Sequence, residues 1–333
     1  MARVLSGIQP TGDVHLGNYL GALRHWVTDQ HEYDAYYCIV DLHALTVPRA
    51  AGELRKSTQE LAAVLLAAGL DPETCTLFVQ SHVHEHAELS WIQECLAGFG
   101  ELRRMVQFKD KAAKGGEANA RVGLFTYPVL QAADILLYQA ERVPVGDEQR
   151  QHLELCRDLA NRFNTRYEPV FTVPEAAVPR VGARIMDLQN PTAKMSKSAA
   201  SPQGTLLVLD PPEVIEHKLK RAVTDTESEV RYDPDTKPGV SNLLSILAAA
   251  TGADPETLAG KYAQYGPLKT DTAAALIELL APVQARHAEL AADPATVAAV
   301  LEQGAAKAQA VAAATLARAQ EAVGLLPRKP PPA

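Results

Sequence analysis

Apolar positions along the first third of the chain recur in two rhythms. Arg3-Val4-Leu5, Ala35–Asp41 and Thr76–Gln80 are short apolar, β-rich runs. Between them, Leu20, Leu23, Trp26 and Val27 follow helical offsets, and Glu53–Ala68 is an amphipathic helix. Strands alternating with helices at this spacing predict right-handed βαβ units and a parallel sheet. Ligands of such sheets sit beyond the C-terminal ends of the strands, where Ser6, Asp41, His43, Gln80 and Ser81 fall. The stretch after Leu5, with Gly7, Pro10, Gly12 and Gly17, reads as loop, and Asn18 as the N-cap of the first helix. Free N–H groups at a helix start suit a phosphate. Alone, the loop reads equally well as a tight turn with a solvated histidine.

From Glu88 to Arg166 the pattern is mainly helical. A helix is expected over 102–108, followed by a basic, glycine-containing loop with Lys109, Lys111, Lys114, Gly115 and Gly116. Tyr127–Tyr138 is an apolar helix with one acid, Asp134, inside it. A short strand over 142–146, a helix over 148–163 and a last strand over 181–186 complete this part. Helices then follow at about 212–222, 238–251, 255–264 and 271–289. Asp293-Pro294 opens a final Ala-rich helix with Val297, Val300, Leu301, Ala305, Ala308, Val311 and Leu316 on one stripe. Arg328–Ala333 is a Pro-rich tail, and no internal repeat is present.

Composition narrows the class. The chain has 333 residues, 47% apolar content and a net charge of −8. That supports a large domain plus a smaller one. It argues against a protein that coats nucleic acid, but leaves room for a local basic face. No apolar run is long enough to span a membrane, and the N-terminus does not read as a signal peptide. Cys38, Cys75, Cys95 and Cys156 lack paired metal-ligand spacing and read as thiols of a reducing cytosol. No metal site or iron–sulfur cluster is expected.

Two motifs change the picture. His15-Leu16-Gly17-Asn18 resembles the HIGH signature of the class I aminoacyl-tRNA synthetases. Lys194-Met195-Ser196-Lys197-Ser198 is identical to their KMSKS signature and lies about 180 residues downstream. The resemblance runs from Ser6-Gly7-Ile8-Gln9-Pro10 to the last helix and is strongest to the bacterial tryptophanyl-type enzymes. It implies an α/β doubly wound, Rossmann-like catalytic domain over 1–200 with a helical, dimer-forming insertion at about 88–166. An all-helical, anticodon-contacting domain over 201–292 would follow, then a helix over 293–325 packing back and a flexible tail over 326–333. It also implies a cytoplasmic homodimer acting on L-tryptophan, ATP and tRNA(Trp), with Mg²⁺ held by the nucleotide.

The implied first step is attack of an amino acid carboxylate on the α-phosphorus of ATP. Such chemistry needs positioning and charge stabilisation rather than a protein nucleophile. By resemblance, Lys194 and Lys197 are mobile cations on the leaving pyrophosphate, Ser196 and Ser198 add donors, and Lys109 and Lys111 reach the triphosphate. Gln9, Pro10, Thr11, His15, Gly17, Asn18, Met195 and the backbone of Ile185 would contact ATP. Gly146-Asp147-Glu148-Gln149 matches the family's Gly-Glu-Asp-Gln with the acids exchanged, which puts Asp147 and Glu148 in doubt.

Asp134 is implied as acceptor of the indole N–H; the other reading is an acid facing solvent or in a salt bridge. Leu5, His43, Gln131, Val143, Val145 and Gln149 would line the rest of the pocket. Leu5 stands where relatives often carry Phe, and Gln131 where some carry Met. Two alternatives remain: a tyrosyl-type enzyme, which shares the fold and both motifs, and an adenylate- or RNA-binding paralogue without aminoacylation.

Overall fold

The computed structural model describes residues 1–50, 52–106, 108–109, 121–144, 146, 149–177, 184–196 and 201–327. Among these residues, five strands form one parallel sheet: β1 (Arg3–Ile8), β2 (Asp34–Ile39), β3 (Thr76–Val79), β4 (Arg142–Pro144) and β5 (Glu175–Ala177), in the order β3-β2-β1-β4-β5. The order reverses direction at the β1/β4 boundary, which is the switch point of a doubly wound fold.

β2 shows why the sheet is covered on both sides. Tyr37 and Ile39 enter one core with Leu16, Leu20, Leu23, Leu61 and Leu65. Tyr36 and Cys38 enter the other with Phe78, Leu89, Ile135, Leu159 and Phe163. Side chains alternate faces along a strand, so a run buried on both faces reads as continuously apolar.

The helices α1 (Leu16–Asn18), α2 (Arg24–Asp29), α3 (Asp41–Ala44) and α4 (Glu53–Ala67) follow the first strands, with a π-helical turn, Tyr19–Leu23, between α1 and α2. After β3 come α5 (Glu85–Glu94), α6 (Phe99–Arg103) and α7 (Val122–Leu137), and after β4 comes α8 (Arg150–Arg166). The chain continues through α9 (Pro212–Lys220), α10 (Pro238–Thr251), α11 (Pro255–Ala259), α12 (Tyr265–Ala292) and α13 (Pro294–Ala322). Leu219, Leu243, Leu247, Leu276 and Leu280 of α9, α10 and α12 join the first core. α13 returns over the sheet edge, with Ala308, Ala312 and Leu316 in the second core. A Cβ built on Gly304 would collide with the Leu77 carbonyl oxygen, so only glycine lets this helix cross β3 so closely.

Several expectations are corrected. Ser6–Ile8 belong to β1 rather than to the loop, with Gly7 paired to Cys38. A Cβ on Gly7 would already press on Val40 at 3.0 Å, so glycine here serves close packing inside a strand. Asn18 is not the N-cap: its N–H donates to His15 Nδ1 at 3.3 Å, making His15 the cap. The helix expected over 102–108 begins at Phe99 and breaks at Arg104-Met105. α7 begins five residues before Tyr127 and carries Pro128 inside it, where Phe125 packs on Phe99 and Phe108. The strand that pairs with β4 is Glu175–Ala177. Residues 181–183 lie outside the described residues, and Met186 makes only an isolated antiparallel bridge with Lys194. The helix expected over 255–264 stops at Ala259, and α12 begins at Tyr265. Residues 111, 114–116 and 328–333 lie outside the described residues.

Candidate active site

A cavity of about 290 Å³ opens at the switch point, lined by β1, β4, α7 and the loop after β2. Leu5, Gln9, His43, Gln131, Asp134, Val143 and Gln149 all line it, as the sequence led us to expect for the amino acid pocket and Gln9. Ser6, Gly7, Val40, Tyr127, Ile135 and Pro144 complete it. Val145 lies outside the described residues.

Asp134 is 3% exposed and accepts three hydrogen bonds. Gln80 Nε2 at 2.7 Å and His86 Nδ1 at 2.6 Å converge on Oδ1, and His43 Nε2 donates to Oδ2 at 2.7 Å. Burial pushes this carboxyl up, but His43 and the His86 hydrogen bond outweigh it and hold it well below the ordinary carboxylate range. An ionised carboxylate has about four acceptor positions. Three are filled, and the fourth is on Oδ2, the oxygen shared with His43. Asp134 does not face solvent, while its pairing with His43 and His86 keeps the salt-bridge alternative open.

Each donor on Oδ1 is itself fixed. Gln80 Oε1 accepts the Leu42 N–H at 3.1 Å, which turns its amide nitrogen toward Asp134. His86 Nε2 lies 2.8 Å from the Tyr138 hydroxyl. A similar chain stands behind Gln149. Its Oε1 is 2.9 Å from His152 Nδ1, and His152 Nε2 is 2.9 Å from the Tyr127 hydroxyl. Burial pushes the Tyr127 phenol up to about 12, so it stays a donor.

Sequence reasoning assigned no role to His86, Tyr138, Tyr127 or His152. Only Tyr138, one helical turn from Asp134, and His152, three residues from Gln149, carried a spacing signal; His86 and Tyr127 had none. Asp41 and Ser81, also at strand ends, instead bond to each other and tie the loops after β2 and β3 together. A larger cavity, about 610 Å³, lies between α4 and the α12–α13 junction. It is lined by the strand-end residues Asp41 and Ser81 but by no residue of either signature motif or of the implied amino acid pocket.

The two signature motifs meet. Leu16 N–H donates to Leu206 O at 2.8 Å and Val208 N–H to Val14 O at 2.9 Å, so the first loop pairs with the segment after the lysine loop. Met195 is buried, and its N–H donates to Ile185 O at 3.0 Å. The Ile185 side chain is core. Asn242 of α10 grips Met186 from both sides, accepting its N–H at 2.8 Å and donating to its carbonyl at 2.9 Å. Lys194 is exposed, and the Ser196 carbonyl accepts from Thr205 Oγ1 at 3.0 Å.

Pro10 and His15 are buried, Thr11 and Asn18 are half-buried, and Gly146 is exposed with its carbonyl accepting the Gln149 N–H. Lys109 is exposed and does not line the cavity. Lys111, Asp147, Glu148, Lys197 and Ser198 lie outside the described residues.

Known proteins match this arrangement over its full length. The family model described as tRNA synthetases class I (W and Y) matches residues 1–281. Tryptophan–tRNA ligase 2 of Streptomyces avermitilis is 57% identical over 330 residues, 98% of each chain. The tryptophan–tRNA ligase of Caldanaerobacter subterraneus subsp. tengcongensis is 51% identical over 98% of this chain and 100% of its own. The tryptophanyl-tRNA synthetase structure from Mycoplasma pneumoniae superposes with a TM-score of 0.89 at 37% identity, covering 98% of both chains. That from Campylobacter jejuni, complexed with ADP and tryptophan, gives 0.85 at 33% identity over 97% of this chain and all of its own. With the fold, both motifs and the full-length relatives in agreement, the chain belongs to the class I aminoacyl-tRNA synthetases of the tryptophanyl and tyrosyl type.

Proposed function

We propose that the chain is a tryptophan–tRNA ligase. The tryptophan carboxylate attacks the α-phosphorus of ATP, pyrophosphate leaves, and tryptophanyl-adenylate forms. A terminal ribose hydroxyl of tRNA(Trp) then takes the tryptophanyl group, and AMP leaves. The observation that carries this is the buried, ionised Asp134 on the wall of the switch-point cavity, with one acceptor position left on Oδ2. An indole N–H fits that position, and a site that buries an acceptor rejects ligands lacking the donor.

Leu5, Val143 and Gln131 would flank the ring and Gln149 the amino acid backbone. Gln9, His15, Gly17, Asn18, Gly146 and Ile185 would meet the nucleotide. Lys194 and Lys197, with Ser196, Ser198, Lys109 and Lys111, would stabilise the triphosphate. Mg²⁺ enters with the nucleotide, held by phosphate oxygens as part of the substrate.

The enzyme works as a cytoplasmic homodimer in this reading. Leu45, Trp91, Phe99 and Val122 are large, exposed and apolar, and Leu45 and Trp91 line a groove with Leu124 and Leu130. Such a patch favours burial against a second copy. The helices after residue 200 would carry the anticodon contacts.

Amino-acid-dependent exchange of pyrophosphate into ATP tests the activity. Exchange with tryptophan and little with tyrosine is expected; the reverse would make the enzyme tyrosyl-type, and no exchange with either would overturn the ligase reading.

A further inference from the structure

The acceptor Asp134 is held from behind by groups that never reach the cavity. His86, Gln80 and Tyr138 are all fully buried, and none of them lines the pocket. An ionised Asp134 has no proton to give, so His86 Nδ1 must carry one and donate it. In the neutral ring His86 Nε2 is then the acceptor for the Tyr138 hydroxyl, 2.8 Å away. Burial, together with the neighbouring Cys38 and Asp134, pushes the Tyr138 phenol far up, so the hydroxyl keeps its proton. The His86 ring also packs between Phe78 and Tyr138, with centroids 6.0 and 5.5 Å apart. Neither its tautomer nor its plane is free to change.

Gln80 is fixed in the same way. The Leu42 N–H occupies Oε1, which leaves Nε2 as the group facing Asp134. Two donors therefore pin Oδ1, and each is pinned by a further bond. With Oδ1 held, the carboxylate plane is set, and Oδ2 faces His43 on the cavity side.

We infer that His86 and Tyr138 are positioning residues for amino acid selection. The Tyr138 hydroxyl fixes His86 as an Nδ1–H donor, and His86, with Gln80, holds Asp134 as an oriented acceptor for a ring N–H. This rests on the reading of Asp134 as the indole acceptor. It adds that the selectivity of Asp134 depends on a buried tyrosine and histidine that touch no substrate.

The test compares tryptophan with the analogue in which sulfur replaces the indole N–H, benzothienyl-alanine, in pyrophosphate exchange by the full-length enzyme. Tyr138→Phe removes one oxygen and keeps the ring. It should raise the KM for tryptophan roughly three- to tenfold, the size of one neutral hydrogen bond, and change kcat less. Its preference for tryptophan over the analogue should fall by about the same factor. His86→Leu should lose more of that preference. His86→Asn, whose amide nitrogen stands near the Nδ1 position, should recover part of it. The KM for ATP is the control.

A loss of packing alone would weaken both substrates equally. An unchanged preference in Tyr138→Phe and His86→Leu would therefore overturn the inference. Asp134→Ala separates the two layers: if it too keeps the preference, the reading of Asp134 itself fails. A measurement on the unmutated protein is independent of any folding defect. Nitrogen-15 shifts of His86 should report the Nδ1–H tautomer, and the Nε2–H tautomer would overturn the relay.

Discussion

Gly17 and Met195 face each other across the join of the two signature motifs: a Cβ built on Gly17 would lie 3.8 Å from that of Met195 and 3.1 Å from the His15 imidazole. The first contact is ordinary. The second is tight, and the ring that must move is the one capping the first helix through Nδ1. Gly17→Ala should therefore act on the helix start, which meets the nucleotide in the proposed reading, and much less on overall stability. Displacing a positioning group by a fraction of an ångström to an ångström costs rate, up to roughly a hundredfold at 1 Å. We expect adenylate formation to fall about tenfold, with the melting temperature little changed. Parent-like exchange rates would separate this contact from catalysis.

Lys194→Ala, alone and with Lys197→Ala, should slow adenylate formation while leaving tryptophan binding nearly intact. Met195 anchors this segment in the core while Lys194 stays exposed, so the backbone should hold after the change. Loss of a transition-state charge contact costs roughly 2–4 kcal/mol, or about 30- to 1000-fold in rate. Single-turnover formation of the adenylate measures it, with tryptophan affinity by calorimetry as the comparison. Unchanged turnover in the double variant would remove the lysines from the mechanism.

The parallel sheet was legible because both faces of β2 are covered, which leaves an unbroken apolar run. Asp134 and His43 were placed in a pocket by the family resemblance, and both line the cavity. The ends of elements were less legible. Gly7 resembles a loop glycine, yet it sits in β1 because Val40 crowds its face. Asn18 resembles a cap, yet the less usual His15 performs that role. The relays behind Asp134 and Gln149 were hidden for another reason. A buried histidine and tyrosine have the composition of ordinary core, and only the fold brings His86 from α5 onto α7.

Gly304→Ala should destabilise the fold without touching the cavity. The added Cβ would meet the Leu77 carbonyl, a backbone atom of the edge strand that cannot rotate away. Overpacking of this kind costs about 1–3 kcal/mol, sometimes more. Thermal unfolding should show the loss. A melting temperature equal to that of the parent would mean that α13 shifts freely along β3.

Binding of tRNA should weaken steeply with salt although the chain is acidic. The last turn of α9 carries Lys218 and Lys220 with Arg221 after it, and one of the three is already paired. Lys218 is mostly buried, with Nζ 2.6 Å from Asp210 Oδ2 and 2.8 Å from the Thr205 carbonyl. Lys220 and Arg221 are exposed. Replacing those two by Ala should reduce the slope of log affinity against log salt by about two, close to one for each phosphate that is no longer neutralised. Lys218→Ala should lower the melting temperature and leave the slope alone. A flat affinity between low and moderate salt would contradict phosphate contacts altogether.

Asp134→Asn should damage tryptophan use far more than ATP binding. Size is nearly conserved, so α7 should keep its packing. The buried donors respond differently: His43, His86 and Gln80 all point N–H groups at this side chain, and an amide presents one oxygen and one NH₂ to them. One of the two ends must then set donor against donor. A hydrogen bond to a charged acceptor is worth on the order of 1.5–3 kcal/mol, so kcat/KM for tryptophan should fall roughly tenfold to a few hundredfold. Asp134→Ala should be at least as severe, since it leaves the indole N–H and three protein donors unpaired.

The same change should alter acid stability, and its sign follows from linkage. The folded protein holds Asp134 below the ordinary carboxylate range. Its contribution is therefore fully present above the unfolded value, about 3.9, and fades as pH falls below it. The stability gap between parent and Asp134→Asn should thus be constant from about pH 7 to 5 and narrow below about pH 4. Denaturant unfolding at each pH measures the gap. A gap that closes instead near neutral pH would show that the depressed Asp134 carboxyl is not what the substitution removes.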